Sequence, residues 1–198
     1  GHAGDGGQAG SLVPIIAVEV NVSCPNLEDR RKMFAHSPSA TAEVICAVSD
    51  VCPLPLWAKL SPTVADLAEI AGAALGSGAE AVTLVNTVLG MAIDVQQRRP
   101  VLGAGGGGLS GAAVHPVAVR AVYDCRAAYP DAAIVGVGGV MSGVDAVELL
   151  MAGADAVQVG TATFRDPRAP HRVLDELTAW CGKHGVRSVA ELRGVAHG

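Results

Sequence analysis

The sequence predicts an α/β fold built on a parallel sheet, and three observations carry that expectation. From residue 12 onward, short segments rich in Val, Ile, Leu and Ala alternate with longer Ala-rich segments of helical period. The first of these, residues 13–20 (VPIIAVEV), is apolar on both faces apart from Glu19, as a strand buried in a parallel sheet is. Composition agrees: half of the chain is hydrophobic, only 3% is aromatic and 25 residues are glycine, which suits small-residue packing of helices on strands better than a β-sandwich.

Residues 1–11 (GHAGDGGQAGS) are Gly-rich, polar and aperiodic, and read as a flexible leader or a scar, leaving one domain over residues 12–198. A strand is expected over residues 15–22, then a helix over 39–49 behind a Ser-Pro entry. A strand over 56–60 feeds an Ala-rich helix over 64–76, and a strand over 81–86 follows. The helix over 116–129 opens with proline in its first turn. Strands over 133–137 and 156–160 flank a helix over 144–151, and helices over 170–184 and 188–193 finish the chain. In each unit the strand precedes its helix, which implies right-handed parallel crossovers. The junctions at residues 76–82 (GSGAEAV) and 151–157 (MAGADAV) repeat one pattern, as a βα repeat produces. Five such units are countable. A closed (βα)8 barrel needs eight and usually about 250 residues, so the choice is an open sheet or part of a barrel.

The polar residues fall at the C-terminal ends of the expected strands. Asn21-Val22-Ser23-Cys24-Pro25-Asn26 sets a thiol between two amides where the first strand stops, and Pro25 biases Cys24 to an extended turn. The plain structural alternative makes Cys24 a small buried hydrophobe and the asparagines turn formers. Lys59 ends the second strand, and Asn86-Thr87 closes the third. In a barrel such strand-end groups face the ligand. Later strands end in glycine-rich turns at residues 105–111 (GGGGLSG), 136–139 (GVGG) and Gly160-Thr161. Bare amides at such turns bind an anion without a cationic side chain, and barrels hold phosphate at their last two strands. Gly138-Gly139 and Gly160-Thr161 are the expected pair. The run of glycines at 105–108 has a competing reading as a mobile loop, because ordering it costs backbone entropy.

Several function classes are excluded. The net charge of -5 and the 14 Lys and Arg residues leave no basic stripe for nucleic acid. Five cysteines, an odd number with no C-x-x-C spacing, spell neither a zinc site nor a disulfide framework and indicate a reducing cytoplasm. No apolar stretch approaches the roughly 18 to 20 residues of a membrane span. His36, His115, His171 and His184 lack ligand-pair spacing and read as surface or capping residues, so no metal is expected. Cys46, Cys52, Cys125 and Cys181 read as core filler or incidental thiols. Arg30-Arg31-Lys32 reads as a solvated loop with room for a lid contact.

The chain resembles the dihydroorotate dehydrogenases through VEVNVSCPN (18–26), WAKLSPTVADL (57–67), TLVNTVLGM (83–91), GGLSG (107–111), VGVGGVMSG (135–143) and LLMAGADAVQVGTA (149–162). That resemblance implies a (βα)8 TIM barrel binding FMN, of which this chain carries about the last five βα units. It implies oxidation of dihydroorotate to orotate in pyrimidine biosynthesis, with Cys24 as the base on the loop over the substrate. Asn21 would contact both flavin and substrate, and Asn26, Asn86 and Thr87 would hold the pyrimidine. Lys59 and Val85 would touch the flavin ring and ribityl chain, while Gly111, Gly138, Gly139, Gly160 and Thr161 would enclose its phosphate. Cysteine at the base position resembles the soluble classes, and residues 89–111 resemble the NAD-linked type. Such enzymes work with a subunit carrying FAD and an iron-sulfur cluster, as homodimers or heterotetramers in the cytoplasm. Residues 103–106 depart from the family pattern. Two other readings stand beside this one: the similar flavin domain of dihydropyrimidine dehydrogenase, and a non-catalytic barrel fragment whose open sheet edges favour association.

Overall fold

Strand β1 (Val18–Asn21) opens the sheet and helix α1 (Pro38–Ser49) follows it, with Ser37 as N-cap accepting from the Ala40 amide and Pro38 in the first turn. The computed structural model describes residues 14–23 and 34–198; the expected leader, Cys24, Asn26 and the basic run 30–32 lie outside them. Next come β2 (Leu56–Leu60), α2 (Leu67–Gly76) and β3 (Ala81–Leu84). Four short strands then form two small antiparallel ribbons: β4 (Val88–Gly90) pairs with β7 (Gly107–Leu109), and β5 (Ile93–Asp94) with β6 (Arg99–Pro100). The chain continues through α3 (His115–Ala128), β8 (Ala133–Val137), α4 (Gly143–Ala152), β9 (Ala156–Gln158), α5 (Ala162–Arg165) and α6 (Ala169–His184).

The main sheet has the order β1-β2-β3-β8-β9 and every pair in it is parallel. One face of it is covered by helices. Val20, Ala58, Leu60, Val82, Leu84 and Ile134 pack with Ile45, Ile70, Ala74, Val122, Ala146 and Leu149 in a single cluster. The other face carries Glu19, Asn21, Trp57, Lys59 and Gln158, all partly or fully exposed. Helices on one face and polar groups on the other make a barrel wall, not a doubly wound sheet. Curvature is visible directly: Gln158 on one edge strand donates to Glu19 on the other at 2.9 Å. The architecture is a partial (βα)8 barrel.

The repeated Gly-Ala-acid-Ala junctions have a common geometry. Gly78 (φ 110°) and Gly153 (φ 125°) both leave a helix in the positive-φ region before the next strand. At the second junction, Arg126 of α3 is 6% exposed and donates to the carbonyls of Gly153, Pro130 and Ala132 and to Asp155 Oδ2 at 2.6 to 2.9 Å. Asp155 also accepts from the Ile134 amide and from Arg193. This network staples α3 beneath β8 and β9.

Three expectations are corrected. Of the two readings of the glycine run, the mobile loop does not describe Gly107–Leu109, which is a strand in which a Cβ on Gly108 would clash with the Thr87 side chain. Close approach of two chains is what the glycines allow. The helix expected over 188–193 is a single 3-10 turn, Val189–Glu191, which ends at Leu192; another such turn, Val195–His197, starts after Gly194 at φ 74°. The second helix starts at Leu67, where Asp66 accepts from the Glu69 amide and competes better for the cap than the residues after Pro62.

Candidate active site

The C-terminal ends of the strands converge on one cleft of about 570 Å³, part of it open to solvent, lined among others by Lys59, Val85, Asn86, Thr87, Gly111, Gly138, Gly139, Gly160 and Thr161. Every described residue expected at the cofactor site except Asn21 lines it, and Asn21 is tied to it. The Asn86 side-chain amide donates to Asn21 Oδ1 at 3.0 Å, an oxygen that also accepts from the Ser23 amide at 3.1 Å. Asn86 Oδ1 accepts from the Thr87 amide at 2.8 Å. Register explains the grouping: Asn21 lies opposite Lys59, and Lys59 opposite Thr83, so all three point to the inner face. Asn86 follows two residues beyond β3, where its own amide still bonds to the Leu60 carbonyl.

At the far wall, β8 ends in Gly138 (φ 142°) and Gly139 (φ 65°), two consecutive residues in backbone conformations that side chains rarely adopt. A Cβ on Gly139 would lie 2.7 Å from the His115 amide nitrogen and 2.8 Å from the Gly111 carbonyl oxygen. Gly139 is therefore required by space as well as by conformation. Beside it, Gly160 meets nothing within 4 Å and faces the cleft. The amides of Gly139, Gly160 and Thr161 donate to no other described residue, so they remain available to an acceptor in the cleft.

The cation at this site is partnered. Lys59 Nζ lies 3.2 Å from Glu19 Oε1, while Glu19 Oε2 accepts from Thr83 Oγ1 at 2.8 Å and from Gln158 Nε2 at 2.9 Å. Partial burial pushes the Glu19 carboxyl up, but the Gln158 and Thr83 hydrogen bonds and the Lys59 ammonium outweigh it and hold it below the usual carboxylate range. Glu19 and Gln158 are contacts that reading the sequence missed. The available signal was the spacing of Glu19 from Asn21, two residues apart in a strand and so on one face.

His115 also departs from its expected place on the surface. It is 8% exposed; its Nδ1 lies 2.9 Å from the Gly138 carbonyl oxygen and its Nε2 3.1 Å from Glu148 Oε2. Asp145 Oδ1 stands 3.8 Å from the same nitrogen. Burial raises Asp145, but bonds from the Met141 and Ser142 amides, the Ser142 hydroxyl and the nearby imidazole bring it below its ordinary value. Of the thiols, Cys125 is fully buried and desolvation, with Asp124 and Asp66 nearby, pushes it up to about 12, in keeping with core filler. Cys46 is exposed. Among the described residues no helix is long and apolar enough to cross a membrane.

Known proteins resemble this chain in sequence and in fold. A Bacteroides fragilis protein named dihydroorotate dehydrogenase B (NAD(+)), catalytic subunit, is 44% identical over 93% of this chain and 60% of its own length. One of the same name from Desulforudis audaxviator is 46% identical over 96% of this chain and 62% of its own. A Solibacter usitatus protein named as a dihydroorotate dehydrogenase A (fumarate) is 48% identical over 89% and 58%. The crystal structure of an Eimeria tenella DHODH in complex with ferulenol superposes with a TM-score of 0.75 at 25% identity, over 92% of this chain and 54% of that one. The chain thus spans about 60% of the length of the curated relatives it matches. The family profile for Dihydroorotate dehydrogenase matches residues 10–180, a span that takes in every strand of the curved sheet and both walls of the cleft. On that match the chain belongs to the dihydroorotate dehydrogenase family.

Proposed function

We propose that this chain supplies the FMN site and much of the substrate site of an enzyme that oxidises dihydroorotate to orotate. The observation that supports it best is the pairing, in one cleft, of a glycine cradle with unengaged amides on one wall and Lys59, Asn86 and Thr87 on the other. The fit to FMN is good on physical grounds. A phosphate needs donors and close backbone approach, which Gly138, Gly139, Gly160 and Thr161 provide without a cationic side chain. Gly111 borders the same turn, its carbonyl close to Gly139. Lys59 and Val85 border the space for the ring system.

When bound, FMN would supply the two-electron acceptor for the substrate hydride. The residues of the chain do the remainder. Cys24, as thiolate, takes the proton from the carbon beside the substrate carbonyl, so that one C–H bond yields a proton and its neighbour a hydride and the C=C bond forms between them. Asn21, Asn26, Asn86 and Thr87 orient the ring and donate to its oxygens, stabilising charge as the proton leaves. Neutral donors hold the anionic product without trapping it. Electrons then pass to a partner subunit, with FAD and an iron-sulfur cluster as its carriers and NAD as the acceptor, in a cytoplasmic homodimer or heterotetramer.

The test is the visible spectrum of the purified chain before and after anaerobic dihydroorotate. Flavin that bleaches is the expected result, and a colourless chain that takes up no added FMN refutes the reading. Cys24→Ala should keep the flavin but slow its reduction by about 10²- to 10⁴-fold.

A further inference from the structure

The wall of the cleft opposite the glycine turns is held by a residue that the proposed chemistry does not use. Ser23 stands two residues past Asn21, the last residue of β1, and directly before Cys24 in the chain. The ladder between β1 and β2 ends at the pair Asn21 and Lys59. Beyond it the Ser23 hydroxyl takes over from the backbone, donating to the Lys59 carbonyl oxygen at 3.0 Å. A carbonyl only accepts, so the direction of this bond is fixed. Ser23 is 8% exposed and Val22 1%, and the Val22 carbonyl accepts from the Ala35 amide at 3.0 Å, so the turn is packed as well as bonded.

The same turn sets which way two carboxamides face. The Ser23 amide donates to Asn21 Oδ1 at 3.1 Å, and the Thr87 amide donates to Asn86 Oδ1 at 2.8 Å. A backbone N–H only donates, so these two contacts tell oxygen from nitrogen in both side chains without reference to a ligand. Asn86 Nδ2 then donates to Asn21 Oδ1 at 3.0 Å, in agreement with both assignments. A bond from an Asn oxygen to the amide two residues on is common in turns. The second donor to that oxygen comes from beyond β3, 65 residues along the chain, and is no part of the turn. With both oxygens engaged, N–H groups are what remains: among the described residues Asn21 Nδ2 has no acceptor, and Asn86 keeps one N–H. Lys59, beside them, is a donor by nature. The edge formed by Asn21, Lys59 and Asn86 therefore offers donors alone.

We propose that Ser23 is a positioning residue for this edge: its hydroxyl anchors the turn on β2 and its amide pins Asn21 Oδ1, so that Asn21 and Asn86 turn N–H groups alone toward the ligand and select an oxygen acceptor, a carboxylate or a carbonyl, at that place. This rests on the reading that the strand ends of the cleft receive the substrate. Without the hydroxyl the turn loses its tie to Lys59, and the Asn21 carboxamide is free to rotate and present its oxygen, which repels an acceptor. Fixed donors also discriminate, because a ligand without an acceptor there leaves them unpaired.

The experiment uses the purified chain loaded with FMN, its Ser23→Ala and Ser23→Thr variants, and orotate as the probe. Orotate is titrated against the flavin absorbance spectrum, and FMN affinity is measured separately by flavin fluorescence. Ser23→Ala should weaken orotate binding on the order of tenfold, the worth of about one hydrogen bond. FMN affinity, which rests mainly on the glycine wall, should change by less than about threefold. Ser23→Thr keeps the hydroxyl and should bind orotate nearly as the wild type does. A second readout needs no ligand: order parameters of the Asn21 and Asn86 side-chain NH2 groups should be high in the wild type and in Ser23→Thr and fall in Ser23→Ala, while the Gly139 amide, on the other wall, keeps its value. Orotate binding by Ser23→Ala as tight as the wild type, or carboxamides as ordered in that variant as in the wild type, overturns the proposal. An equal loss of orotate and FMN affinity also overturns it, since that is a general loosening of the sheet end. Absence of FMN binding in the wild type would count instead against the cofactor reading, and the carboxamide order parameters would then decide the role of Ser23.

Discussion

Replacing Gly139 with alanine tests the cleft wall at the point where its shape is most constrained. Two costs combine. An L side chain at φ 65° sits in the left-handed region at about 1–2 kcal/mol. Its Cβ would also meet the His115 amide nitrogen at 2.7 Å and the Gly111 oxygen at 2.8 Å, both of them backbone atoms that no rotamer change can move. Overpacking of that kind costs about 1–3 kcal/mol. The total expected loss is roughly 2–5 kcal/mol, which at a urea dependence of about 2 kcal/mol per molar moves the unfolding midpoint down by about 1–2.5 M. Gly160→Ala is the internal control, since a Cβ there meets nothing within 4 Å, and its midpoint should stay within about 0.3 M of wild type. Urea unfolding followed by far-ultraviolet circular dichroism measures both, and flavin retained on gel filtration measures the site. Equal midpoints for the two variants would refute the claim that the turn is set by close approach of backbone to backbone.

Two further outcomes follow from Arg126 and from the two depressed carboxylates. Arg126→Met leaves the carbonyls of Pro130, Ala132 and Gly153 and the Asp155 carboxylate without their buried donor, and should cost about 3–5 kcal/mol, roughly a 10 °C fall in thermal midpoint by calorimetry; a shift under about 2 °C would contradict it. Stability should decline on acidification, because Glu19 and Asp145 are both held below their ordinary values of 4.5 and 3.8 in the folded state. A depressed folded value means that the unfolded chain takes up protons first, so this contribution is complete above about pH 5 and is lost as pH falls through 4.5 and 3.8 towards the folded values. Glu19→Gln with Asp145→Asn should flatten that part of a pH-denaturation curve and lower its plateau.

The later strands were legible to a residue or two because each obeys a local rule, whereas the first, expected over 15–22 as a strand buried on both faces, covers Val18–Asn21 alone and leaves Ile15 and Ile16 exposed before it. Leu56–Leu60 and Ala133–Val137 stand where apolar runs and their flanking turns put them, since buried parallel strands are read from continuous hydrophobicity. The ribbons over residues 88–109 were not legible: their strands are two or three residues long, polar or glycine-rich, and set by pairing across the ribbon and by the passage of Gly108 over Thr87. The residues that line the cleft from the strand ends were visible through the barrel rule that places such ends on one side of the sheet. Glu19, Gln158 and His115 were hidden for the opposite reason. Each acts through a partner far along the chain, 139 residues away for the Glu19–Gln158 bond and 33 for His115–Glu148, and single-sequence patterns carry no such information.

That hidden layer changes what the visible one means. Read from the strand end alone, Lys59 is a bare cation beside the ligand; in the fold its ammonium is shared with a carboxylate that two other strands also hold. Barrel interiors are ordinarily filled by branched apolar residues, and a carboxylate among them is retained only with several donors around it. Here the donors come from β2, β3 and β9, so Glu19 ties both edges of the sheet to its centre while neutralising the cleft's cation. The glycine wall follows the same logic with backbone amides in place of side chains. If the cleft receives the anionic ligand proposed above, oriented dipoles and a partnered ammonium of short-ranged field would hold it, so recognition would depend on the shape of the turn at Gly138-Gly139 and little on net charge.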